Sequence, residues 1–221
     1  MKKKKATALS DLLNVMARLR SPEGCPWDRE QDHLTLRFHA VEEVYELLDA
    51  IEAGDDHEML EELGDLLLQV VFHCQMANER GAFDFEKVAR NLTDKLIRRH
   101  PHVFGDVKVK NVDQVWANWE KIKKAEKQGT KHERPSALDG IPRHLPALLR
   151  AEKLVKKARK AKLAVDKDKS PRRPAKAALA KELFQLTAFA QQQGWSAEAL
   201  LRSESKKRER AWRTLERKTD A

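Results

Sequence analysis

At 221 residues, with 41% hydrophobic and 36% charged side chains, the chain has the length for one large or two small domains and enough apolar content for a core. Only eight glycines and eight prolines, and no run of alternating β-branched residues, favour long helices over sheets. No apolar stretch approaches the ~20 residues of a membrane span, and the basic start MKKKK has no apolar segment behind it, so no membrane partner and a cytoplasmic location are expected. Lys2 to Lys5 read as a solvated tail. Cys25 and Cys74 lack CxxC spacing and read as reduced thiols. The formal net charge of +9 conceals an asymmetry. Residues 28–65 hold fourteen acids against two bases, whereas residues 150–221 hold twenty-one bases against nine acids. The acidic half repels nucleic acid unless metal neutralises it; the basic half could attract it.

In chain order, the apolar spacing of Leu9, Leu12, Leu13, Met16 and Leu19 predicts a helix over 8–20, ended by Ser21-Pro22-Glu23-Gly24. GCPWD, residues 24–28, reads as a turn, with Trp27 folded onto a helix in preference to stacking on a base. Two acidic helices are predicted over 35–53 and 56–80, the second capped by Asp55 or Asp56. Asp84 caps a helix over 85–99, which Pro101 breaks. Lys95 and Arg99 share a face there, with Arg98 beside them; such cations suit either a phosphate or simply the helix C-terminus. His100 and His102 read as loop packing. The next helix, VDQVWANWEKIKKAEK, is read as capped by Asp113. Trp119 and Lys123 lie one turn apart on it, which fits a base-and-phosphate clamp as well as a packed Trp with a snorkelling Lys. Residues 129–145 read as a linker between domains over 8–128 and 146–221. Helices over 146–160, 175–193 and 196–217 follow, the first two separated by VDKDKSPRRP.

The chemistry concentrates in residues 39–65. Glu42, Glu43 and Glu46 occupy one side of the first acidic helix; Glu58, Glu61, Glu62 and Asp65 recur at helical spacing on the second. Apolar rows flank both stripes: Val41, Val44, Leu48 and Ile51 on one, Leu63, Leu66, Leu67 and Val70 on the other. The carboxylates should therefore border buried surface, where uncompensated like charges cost several kcal/mol. A compensating cation is called for, and hard oxygen ligands without clustered Cys or His favour Mg²⁺, with Mn²⁺ as the alternative.

These residues resemble the MazG family of nucleoside triphosphate pyrophosphohydrolases, within the all-α NTP pyrophosphatase superfamily. Its EExxE and ExxD motifs stand as Glu42-Glu43-x-x-Glu46 and Glu62-x-x-Asp65, accompanied by GCPWD, ELGDLL, RRHPHVFG and WEKIK. The resemblance covers about residues 9–149. It implies an all-α MazG-like helical bundle and Mg²⁺-dependent hydrolysis of an NTP or dNTP to nucleoside monophosphate and pyrophosphate, by water attack at the α-phosphorus. It further implies metal ligation and catalysis by Glu43, Glu46, Glu62 and Asp65. Lys95 and Arg99, with Arg98, would hold the triphosphate, and Trp119 and Lys123 the nucleotide. His39 and Glu42 would line the same pocket. Family members form homodimers or higher assemblies, so one is expected here.

The resemblance also implies a smaller, degenerate second helical module, since Ala177 to Gly194 aligns with the stretch starting at Glu61. In that register Glu62 becomes Ala178 and Asp65 becomes Lys181, so the second module should be non-catalytic. Two rival readings stay open: a catalytically weak nucleotide-binding regulatory module, and nucleic-acid binding through the basic C-terminal helices. The latter is disfavoured because acids alternate with the bases along residues 203–210.

Overall fold

The computed structural model describes residues 7–163 and 175–219. Lys2 to Lys5 and the VDKDKSPRRP segment lie outside the described residues. Every regular element among the described residues is helical, so the all-α expectation holds. Two compact units divide at Trp116/Ala117.

The first unit contains α1 (Ala8–Leu19), α2 (Pro26–Glu30), α3 (His39–Ala53), α4 (Asp56–Glu79), α5 (Phe85–Arg99) and α6 (Pro101–Phe104). A capping box between Thr7 and Ser10 starts α1. Its inner row delivers Met16 to a core with Leu36, Val71, Phe72 and Met76, against which Leu12, Leu13, Leu68 and Phe85 pack. The helix α4 is the hub, because α1, α3 and α5 all pack on it.

Arg20, just past α1, closes this core at one end. Its Nε and Nη2 donate to Glu79 at 2.8 and 2.7 Å, while Nη1 donates to the carbonyls of Asp28 and Gln31. The same guanidinium lies 5.4 Å from the Phe72 ring centroid. Gly24 is needed here, since a Cβ would stand 2.1 Å from the Leu19 carbonyl oxygen. GCPWD is thus no simple turn: Pro26 opens the short helix α2, and Trp27 is 54% exposed instead of folded down. Likewise Pro101 ends α5 but starts α6.

The loop before α3 is also pinned to α4. Arg80 donates to His33 Nε2 at 3.2 Å, and His33 and His73 meet Nδ1 to Nδ1 at 2.8 Å. Arg can only donate, so neutral His33 carries its proton on Nδ1 and donates to His73.

The apolar rows beside the carboxylates depart from expectation. Val41, Val44, Leu48 and Ile51 on α3 are 42–52% exposed, and Leu63, Leu67 and Val70 on α4 are 39–50% exposed. Only Ala50 of α3 is buried. The two helices pack on one another, yet these positions stay largely exposed, with Leu66 of the same row half-buried.

The second unit begins inside α7 (Val112–Ala125) and continues through α8 (Ala147–Lys160), α9 (Lys176–Gln192) and α10 (Ala197–Thr219). Asn111, not Asp113, caps α7: its Oδ1 accepts from Gln114 N at 3.0 Å. The core joins Leu154 and Ala158 of α8 to Trp212 of α10, with Leu138 and Leu163. Leu138 belongs to the stretch read as a linker, yet it is 1% exposed. Ser136 and Ala137 donate to Glu216 of α10, and Lys157 Nζ donates to the Ala137 and Asp139 carbonyls. Turn-forming residues hid a structural segment. The helix α9 packs on α10 and buries only Ala190.

Candidate active site

The helices α3 and α4 form a hairpin because their junction has the right residues. Gly54 ends α3 in the left-handed region, at φ 68°, and Asp55 then accepts from the backbone N–H groups of His57 and Glu58. Folding back sets Glu43 against Glu62 and Asp65, which lie one turn apart on α4. One carboxylate oxygen from each can be chosen so that all three lie within 4.8 Å of one another.

The electrostatics of this cluster are those of an uncompensated site. Burial pushes the Glu43 carboxyl up, and the charges of Asp65 and Glu46 add to it, while a hydrogen bond from Gln69 opposes. Glu62 is raised likewise, first by burial and then by the charges of Glu46, Asp65, Glu43 and Glu58. No Lys or Arg forms an ion pair with Glu43, Glu62 or Asp65 among the described residues. Glu62 Oε2 is cut off from solvent and lacks a hydrogen-bond partner. An orphaned carboxylate oxygen facing two more carboxylates fits a hard divalent cation. His57, Glu58 and Glu61 also bring ligand atoms together, but all three are exposed at the start of α4.

Sequence reasoning missed Gln69. It is 7% exposed, lies on the Glu62–Asp65 stripe one turn beyond Asp65, and its Nε2 donates to Glu43 Oε1 at 3.2 Å. A buried amide continuing a carboxylate stripe was the available signal.

The other anticipated residues are placed as follows. Glu46 is exposed and close enough for its charge to raise both Glu43 and Glu62. Glu42 turns to solvent with its side chain 70% exposed, 3.5 Å from His39 Nδ1, and stands outside the three-carboxylate group. Lys95, Arg98 and Arg99 occupy the last turns of α5, which packs on α4, and Lys95 makes no ion pair among the described residues. Trp119 and Lys123 belong to the second unit, where Lys123 lies 3.6 Å from Glu120.

Comparison with known proteins bears directly on this hairpin. The MazG nucleotide pyrophosphohydrolase domain matches residues 31–104, which include both acidic motifs. Residues 31–104 are a MazG domain. The chain is 53% identical over 148 residues to the nucleoside triphosphate pyrophosphohydrolase of Escherichia coli, covering 66% of this chain and 55% of that one. It is 49% identical over 148 residues to the nucleoside triphosphate pyrophosphohydrolase/pyrophosphatase MazG of Thermotoga maritima, covering 67% and 55%. The chain thus spans about half the length of the curated relatives it matches. The crystal structure of a MazG-related protein from Thermotoga maritima aligns with 52% of this chain and 97% of its own, at 25% identity and a TM-score of 0.44. The matched MazG segment contains all four acids singled out by sequence, and also His33, Gln69 and His73.

Proposed function

We propose that the MazG domain hydrolyses nucleoside triphosphates, NTP or dNTP, to nucleoside monophosphate and pyrophosphate in a Mg²⁺-dependent reaction. The carrying observation is the grouping of Glu43, Glu62 and Asp65 around the unpartnered Glu62 oxygen. With Glu46 they would hold the ion, which supplies Lewis acidity and neutralises phosphate charge; Mn²⁺ suits the same oxygens. Gln69 holds Glu43 in place through its amide. Lys95 and Arg99 on α5 serve the β- and γ-phosphates. In the reaction a water oxygen bonds to the α-phosphorus and the bond to the bridging oxygen breaks. Pyrophosphate leaves, and one carboxylate of the cluster takes the water's proton.

The test is product analysis with a panel of ribo- and deoxyribonucleoside triphosphates and Mg²⁺. Monophosphate and pyrophosphate in equal amounts support the reading. Diphosphate with orthophosphate moves the cleaved bond, and nucleotide binding without product leaves the regulatory reading in its place.

The chain also reads as a homodimer or higher assembly in the cytoplasm. The exposed rows of α3 and α4 support self-association, because contiguous apolar surface of this kind suits a second copy. No described helix is long and apolar enough to cross a membrane. Light scattering on Leu63→Glu and Leu67→Glu checks the pairing: a monomeric mass supports it, and an unchanged mass moves the interface elsewhere.

A further inference from the structure

The second unit contains a cavity of about 430 Å³ between the start of α8, the turn before it and α10. Five cations line it: Arg143, Arg150, Lys206, Arg210 and Arg213. The lining acids, Asp139 and Glu209, are both engaged. Asp139 accepts from Arg213 Nη1 at 2.8 Å, and Glu209 accepts from both Arg213 and Arg150. Arg143, Lys206 and Arg210 form no ion pair among the described residues. Five cations against two acids leave the lining with a net charge of +3.

Two features show that this charge is placed and not scattered. Arg150 is 4% exposed, and its Nη1 is buried without a hydrogen-bond partner. A guanidinium costs much to bury with donors unused, and a bound oxyanion offsets that cost. The second feature is the pattern along α10. Arg202 pairs with Glu198 and Arg208 with Glu204, each one turn away. Lys206, by contrast, has Arg202 one turn before it and Arg210 one turn after. Like charges at that spacing repel, so the cavity-facing stripe departs from the pairing used elsewhere on the same helix.

We propose that this cavity binds an oligophosphate anion without metal, through Arg143, Arg150 and Arg210. Guanidinium groups match phosphate oxygens with paired donors. No lining residue is aromatic, so nothing is offered for a base to stack on, and the phosphate chain alone is recognised. Free pyrophosphate and the phosphate tail of a nucleotide share that chemistry. The site is built wholly from residues of the second unit and stands whether or not the carboxylate hairpin turns over substrate.

The test is calorimetry on the full chain in excess EDTA, with pyrophosphate, tripolyphosphate and ATP as probes, and sulfate and a short DNA oligonucleotide as controls. Without a divalent ion the carboxylate cluster repels these anions and turnover is silent, so the outcome is independent of the proposed hydrolysis. One pyrophosphate is expected per chain, with affinity lowered at least about tenfold in Arg143→Gln/Arg210→Gln. These two side chains are exposed, so that variant keeps the parental melting temperature. Glu62→Gln leaves the binding unchanged. Tripolyphosphate and ATP binding alike supports recognition of the phosphate chain, whichever source fills it. Binding of ATP tenfold over tripolyphosphate overturns the assignment in favour of a base-reading site. Tighter binding of the oligonucleotide overturns it in favour of a nucleic-acid surface. Absence of binding, sulfate binding equal to pyrophosphate, or loss on Glu62→Gln each refutes the site.

Discussion

The helices α4 and α9 share a rhythm and little else. In the register that aligns Glu61 with Ala177, Leu63, Leu67 and Val70 correspond to Leu179, Leu183 and Leu186, and all six are at least 39% exposed. Further along, α4 buries Gln69, Val71, Phe72, Cys74, Met76 and Ala77, whereas α9 buries only Ala190. At the two acidic positions of the carboxylate cluster Glu62 and Asp65 give way to Ala178 and Lys181. Apolar spacing alone therefore marks a helix. It does not say whether the helix has neighbours, and carboxylates at particular positions decide whether it can hold an ion.

The largest expected effect tests that last point. Glu62→Gln should lower the rate of triphosphate hydrolysis at least about 100-fold with helix content unchanged, because it removes the negative charge of a proposed metal ligand. If the proposed site holds Mg²⁺, the ion should raise the melting temperature of the parent and leave that of Glu62→Gln unchanged. The mirror experiment, Lys181→Asp on α9, should change neither readout. Near-parental turnover in Glu62→Gln would break the comparison at its centre.

A smaller effect separates the helices by packing. Phe72 is 3% exposed and Phe184 is 75% exposed. Phe72→Ala should cost about 3–5 kcal/mol in a urea melt, and Phe184→Ala no more than about 0.5 kcal/mol. Similar losses at the two sites would mean that α9 is covered in solution.

The smallest effect concerns acid. Glu62 of the first unit and Glu209 of the second are shifted in opposite senses. Burial and neighbouring acids raise Glu62 above 4.5, so in EDTA its charge destabilises the fold at neutral pH, and that penalty is relieved as pH falls through the raised value. Burial also pushes Glu209 up, but the Arg150 and Arg213 hydrogen bonds and charges outweigh it and hold it below 4.5. Its contribution is complete above 4.5 and is lost as pH falls through the depressed value. At pH 7.5 in EDTA, Glu62→Gln should therefore raise the melting temperature and Glu209→Gln should lower it. The first difference should close as pH approaches 4.5, and the second only below it. Shifts of equal sign at pH 7.5 would contradict the opposed environments.

Much of this architecture is legible in the residues, for identifiable reasons. Caps such as Asp55 and Asp84 act within a few residues, so they mark the starts of α4 and α5 closely, whereas α3, expected over 35–53, begins only at His39 because Phe38 before it offers no side-chain cap. The carboxylates of the site are legible because helical spacing alone puts Glu62 beside Asp65. What escapes is whatever depends on distant partners. Gln69 matters only because α3 returns Glu43 to it, and Leu138 is core only because α8 and α10 close over a stretch rich in turn formers. The exposure of Val44 or Leu48 is invisible for the same reason, since a helix carries no record of how many neighbours it has. The cavity lined by Arg150 and Arg210 joins positions sixty residues apart and could not be seen along the chain.

The closure by Arg20 has a consequence for how the molecule breathes. With five residues, α2 is far too short to persist by itself. The Arg20 guanidinium ties the carbonyls of Asp28 and Gln31 to Glu79 at the end of α4, fifty-nine residues beyond Arg20. Those bonds can exist only while α1 and α4 are both in place, so α2 should open before the core of α4 does. Amide hydrogens of residues 27–31 should exchange in concert and sooner than those of Val71 and Phe72. Arg20→Lys, which cannot span both the carboxylate and the carbonyls, should release them further while leaving the exchange of the α4 core nearly untouched.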